Sequence, residues 1–103
     1  MPNMNELVRQ AQVMQRKMAE MQADLAAKTV EATSGGGMVT AVANGAQEIV
    51  SLKVDKAAVD PEDVEMLQDL VLAAVNDALK KARDMQQSEM SAITGGLKMP
   101  GLF

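Results

Sequence analysis

Between about Asn5 and Ala27 the apolar residues fall on one line. Leu7, Ala11, Met14, Met18, Met21 and Leu25 recur at spacings of four, three, four, three and four. That is the a/d seam of a heptad helix, held for almost three heptads. No Gly or Pro interrupts it, and Gln, Glu, Lys, Arg and Ala fill the other positions, all good helix formers. A seam this narrow on a rod of roughly 35 Å predicts a helix paired along one stripe and projecting in part from the body.

From Lys28 the period shortens to two. Val30 and Ala32 alternate with Glu31 and Thr33, and Ser34-Gly35-Gly36-Gly37 reads as a turn. Met38 to Ala43 is a second strand, through Val39, Thr40 and Val42. Asn44-Gly45 is a strong hairpin signal, because both residues tolerate the positive φ of a type I′ turn. In a third strand, Gln47 to Val54, Val50, Leu52 and Val54 alternate with Ser51, Lys53 and Asp55, predicting one buried and one wet face. Residues 28–55 therefore predict a three-stranded antiparallel meander.

Asp60-Pro61-Glu62-Asp63 reads as a helix start. Asp60 suits the cap, Pro61 the first helical position, and the acids the positive end of the helix dipole. A wide apolar stripe follows through Val64, Leu67, Leu70, Val71, Ala74, Val75, Ala78, Leu79 and Ala82, and the helix is expected over about 61–91. The stripe thins after Ala82, which is compatible with a break near residue 84. Gly95-Gly96 is expected to end the helix, leaving 94–103 as a loose tail. The fold class is α+β, an α-β-β-β-α protomer forming a single domain over residues 1–103.

Composition narrows the chemistry. The one aromatic residue is Phe103, so the core must use aliphatic residues and the ten Met. Without Cys there is no disulfide framework or thiolate metal site. Without His the usual general base and the commonest metal ligand are missing. The Gly-rich turn lacks the Lys and Ser/Thr of a phosphate loop, and Asp60, Glu62, Asp63 and Glu65 do not match the twelve-residue calcium loop. No enzyme, cofactor or metal is expected. No apolar run is long enough to span a membrane, no signal peptide is evident, and the cytoplasm is the expected location.

Net charge is −4, which argues against a nucleic-acid binder, but the charge is uneven. Residues 60–77 carry six acids and no base, while both ends are mildly basic. On a helix Arg9 and Arg16 share a line opposite the Leu7/Met14/Met18 seam, with Lys17 to one side; Lys80, Lys81 and Arg83 form a second cluster. All six are candidate DNA contacts, and ordinary solvated faces are the plainer reading of the same residues. Without aromatics to stack bases, contact would be to phosphates and weakly sequence-specific.

One protomer also looks incomplete. A short meander under one helix is a thin core for about 100 residues, and two surfaces are left over: the Met seam and the sheet edge. A homodimer would cover both, with Met14, Met18, Met21, Leu25, Val50 and Leu52 as candidate contacts. Alternatively, the first helix folds back and buries its seam on its own sheet.

Three stretches together resemble the YbaB/EbfC family of small bacterial nucleoid-associated proteins. They are Gln10 to Met18 (QAQVMQRKM), Asn44-Gly45 with the strand Ile49 to Val54, and Glu65 to Ala78 (EMLQDLVLAAVNDA). Gly95-Gly96 and Lys98-Met99-Pro100-Gly101 add to the likeness, which covers essentially the whole chain. The resemblance implies a tweezer-like homodimer whose helical arms grip double-stranded DNA in the nucleoid and alter its conformation. Its low pI departs from a typical DNA binder. A competing reading is a protein–protein adaptor using the Met seam and the acidic stretch 60–77. A DNA mimic ranks last, because the apolar stripe turns part of that stretch inward.

Overall fold

The computed structural model describes residues 3–97. The order is α1 (Met4–Ala27), β1 (Thr29–Ser34), β2 (Val39–Asn44), β3 (Ile49–Val54), a 3₁₀ turn (Lys56–Ala58) and α2 (Val64–Leu97). The sheet is an antiparallel meander in the order β1-β2-β3. Its register puts Ala32 opposite Ala41 and Val30 opposite Ala43. Leu52 and Val54 lie opposite Ala41 and Val39.

α2 lies on β1 and β2 and barely reaches β3. Ala74, Ala78 and Ala82, one turn apart, meet Val39, Ala41, Ala43 and Ala32, and all seven are buried. Small side chains on both surfaces let the helix seat close to the sheet. Val30, Leu70, Val71, Val75 and Leu79 ring this contact. Ser34 Oγ donates to the Leu70 carbonyl at 2.5 Å, and Lys81 Nζ to the Glu31 carbonyl at 3.0 Å. Both tie α2 to β1.

α1 leaves this body. Its exposure follows the seam: Leu7 and Ala11 are exposed, Met14 and Met18 half-buried, Met21 and Leu25 buried. The helix is therefore embedded at its root and free toward its tip. The molecule measures 71 × 24 × 16 Å, with a radius of gyration of 19.9 Å, against about 13 Å for a compact domain of this length. The seam thus neither folds back along its whole length nor stays wholly unspent. Met21 and Leu25, expected between protomers, are already covered within one chain.

Four local expectations are corrected. The second helix starts at Val64, with the Asp63 side chain accepting from Met66 N at 3.2 Å. Asp60 and Pro61 instead open a turn closed by Asp63 N donating to the Asp60 carbonyl at 2.9 Å, the i and i+1 roles Asp and Pro favour in type I turns. The helix is unbroken near residue 84 and passes through Gly95-Gly96 to Leu97. Glycine costs a helix about 1 kcal/mol per residue against Ala, which weakens it without terminating it. Of the expected tail, residues 98–103 lie outside the described residues.

The Asn44-Gly45 turn is not type I′, since neither residue has positive φ. The loop spans Gly45, Ala46 and Gln47, and its left-handed residue is Gln47, φ 63°. Asn44 N donates to the Glu48 carbonyl at 2.9 Å and Gln47 N to the Asn44 carbonyl at 3.0 Å. This is the three-residue hairpin closed by a left-handed residue. Lastly, the expected buried face of β3 is open. Leu52 and Val54 share the inner face with the buried β2 residues, but α2 stops short of them. A bulge where Ala43 pairs with Ile49 leaves Val50 as the extra residue.

Candidate nucleic-acid interface

Two features stand out on the surface, and they lie on different elements. The first is the outer face of α1. Arg9, Arg16 and Lys17 are exposed. At 100° per residue Arg9 and Arg16 point away from Met21 and Leu25, which root the helix in the body. They stand two turns apart, about 10 Å along the axis. Among the described residues the ion pairs are Lys28–Glu89 and Lys81–Asp77. Arg9, Arg16, Lys17, Lys80 and Arg83 belong to neither, so their charge remains available.

Lys81 does not stand with this group. Its Nζ reaches the Glu31 carbonyl and lies 3.9 Å from Asp77, so it joins α2 to the sheet. Lys80 and Arg83 are exposed on the same helix. The six sequence candidates thus divide into a line on α1, an exposed pair on α2 and one residue engaged in the fold.

The second feature is an apolar trough. Leu70 and Lys81 reach β1, which fixes one flank of α2. Leu67, Val71, Leu72 and Val75 line an open groove on this helix with Gln68. The inner face of β3 is also uncovered: Ile49, Leu52 and Val54, with Val50 from the bulge, are all exposed. Leu72 is 59% and Leu52 45% exposed, whereas Ala74, Ala78 and Ala82 are 0%. The largest side chains of this region face out and the smallest face in. Exposed apolar surface of this kind is a candidate interface. Val50 and Leu52, named from the sequence, are among these exposed residues; Leu67 and Val71 were read from the sequence as part of the core stripe of α2, and Leu72 lay outside that stripe.

Among the described residues no group of three or more acids could hold a metal ion, and every buried side-chain N or O has a partner. No described helix is long and apolar enough to cross a membrane.

Comparison with known proteins bears on the family and the fold. The model of the YbaB/EbfC DNA-binding family matches residues 1–97. A nucleoid-associated protein of Pelotomaculum thermopropionicum is 57% identical over 98% of this chain and 96% of its own length. One from Thermoanaerobacter sp. strain X514 is 59% identical over 98% of this chain and 91% of its own. The crystal structure of an uncharacterized protein, HP0035 from Helicobacter pylori, superposes with a TM-score of 0.83 at 23% identity, covering 91% of this chain and 99% of that one; it shares the fold. With a family match along nearly the whole chain and relatives above half identity, this protein belongs to the YbaB/EbfC DNA-binding family.

Proposed function

We propose that the protein works as a homodimer that grips duplex DNA at the nucleoid, in the cytoplasm, without catalysis. Two copies join across the trough made by β3 and the adjoining flank of α2. Each copy then extends α1 as an arm, with Arg9, Arg16 and Lys17 on its outer face and Lys80 and Arg83 exposed on α2. These cations contact phosphates, so binding depends little on sequence and alters the path of the duplex through shape. The acidic stretch 60–77 lies on the loop before α2 and on its first turns, away from α1. This separation reconciles a net charge of −4 with a local cationic surface.

The observation that carries the reading is the line of unpaired arginines on a projecting helix, in a chain whose family binds DNA. The test is an anisotropy titration against several unrelated duplexes over a salt series, with mass measured by light scattering. Log K is expected to fall with log salt at about 0.9 per phosphate neutralised. The double variant R9E/R16E should weaken all duplexes alike while the particle keeps twice the 10.9 kDa chain mass. Undiminished binding by that variant would remove α1 from the interface. Absence of binding to any duplex at low salt, with a stoichiometric protein partner recovered, would favour the adaptor reading.

A further inference from the structure

Gly45 is the residue a sequence reading assigns to turn chemistry, yet its φ is not in the left-handed region. Its surroundings give another reason for glycine. A Cβ there would lie 2.6 Å from the Leu25 carbonyl oxygen and 2.7 Å from Leu25 Cβ and Cδ2. Leu25 is buried, 2% exposed, and is the last residue of the α1 seam. Gly45 N donates to the Leu25 carbonyl at 2.8 Å and to the Lys28 carbonyl at 3.1 Å. Helix carbonyls at a C-terminus lack intrahelical partners, and here a hairpin loop supplies one. Lys28, extended at φ −89° and ψ 141°, is the single residue between α1 and β1. Its side chain pairs with Glu89 of α2 at 2.5 Å.

We infer that Gly45 is the socket that sets the direction of α1, and that Leu25 is the peg seated in it. With a one-residue linker, the helix has no slack to absorb a shift at its root. Opening a 2.6 Å contact to the 3.4 Å of ordinary packing needs about 0.8 Å of movement. About a pivot one turn away (~5.4 Å), that carries the tip of a ~36 Å helix by roughly 5 Å. The phosphates of one DNA strand rise about 3.4 Å each along the duplex axis, so Arg9 and Arg16 would lose their register. The consequence for DNA rests on the proposed function; the consequence for α1 does not.

The native chain has no Cys, so cysteines placed at exposed Gln12 and Thr33 take spin labels selectively. Labelled chain diluted into excess unlabelled chain reports the distance within one protomer. Gly45→Ala is expected to move this distance by several ångströms and to weaken duplex binding at least tenfold, with dimer mass unchanged. Leu25→Ala, which empties the socket, should broaden the distribution. Gly36→Ala is the contrast: its φ is +68° and nothing lies within 4 Å. It should lower the melting temperature and leave the distance alone. If Gly45→Ala does not fold, Leu25→Ala decides by itself. Distances in the Gly45 and Leu25 variants that superimpose on wild type overturn the inference. A moved arm with unaltered affinity upholds the socket and removes α1 from the DNA surface.

Discussion

The two sides of α2 differ in a way that inverts ordinary core construction. Toward β1 and β2 the contact is made by Ala74, Ala78 and Ala82 on Ala32, Ala41 and Ala43, all buried. Elsewhere it offers Leu67, Val71, Leu72 and Val75 lining an open groove, and Ile49, Leu52 and Val54 of β3 are likewise uncovered. Large aliphatic side chains return the most free energy on burial, about 25 cal/mol per Å² of apolar area. Leu72, Leu52 and Ile49 remain exposed and Leu67, Val71 and Val75 only half-buried, while alanines and Val39 fill the contact of helix on sheet. The small face fixes the geometry of helix on sheet, and the large face leaves apolar surface uncovered. In the proposed dimer, a chain of 103 residues built this way would place much of its stability between copies.

The sharpest way to break the comparison is to make each side resemble the other. Ala78→Leu puts three extra heavy atoms where the helix has no room, and overpacking of this kind costs about 1–3 kcal/mol. Chemical denaturation should show that loss whatever the protein concentration. Leu52→Glu instead charges the trough. Its expected effect is the larger, since dimerisation and the stability coupled to it go together: light scattering should return a 10.9 kDa particle, and duplex affinity should fall by orders of magnitude. If Leu52→Glu keeps the dimer, the contact lies elsewhere. If Ala78→Leu is neutral, the small face is not close-packed.

Smaller effects refine the boundary of the small face. Ser34→Ala removes the hydroxyl that donates to the Leu70 carbonyl, a neutral hydrogen bond of about 1 kcal/mol. The denaturation midpoint should drop without a change in dimer mass. The slightest effect is expected at Lys28. Its side-chain hydrogen bond to Glu89, reinforced by the carboxylate charge, raises its pKa above the ordinary lysine value of 10.5. A pKa raised in the folded state contributes stability that is complete below the unfolded value and disappears as pH rises through the folded one. The melting-temperature difference between wild type and Glu89→Gln should thus stay level up to about pH 10 and close above it. A difference that grows with alkaline pH would contradict this pairing.

Much of the architecture was legible because it is local. The heptad spacing gives α1, the alternation of β-branched residues gives three strands, and the stripe from Val64 to Ala82 gives α2. Each follows from side-chain direction along one element. The exposed arginine line on α1 was legible for the same reason. The misreadings share a different origin. Asp60 and Asp63 are both good caps, and the chain path into α2 chose between them. Gly95-Gly96 disfavours a helix by too little to settle its end.

Sequence alone determined which elements form and which faces are apolar, since both depend on neighbours a few residues apart. Tertiary structure decided which apolar faces are covered, because α2 is placed by its alanines over β1 and β2 and leaves β3 bare. It also decided that Met21 and Leu25 belong to the protomer, that Lys81 braces the sheet, and that Gly45 is required by the approach of α1. Those assignments depend on contacts between residues 20 to 60 positions apart, whose distances no local spacing encodes.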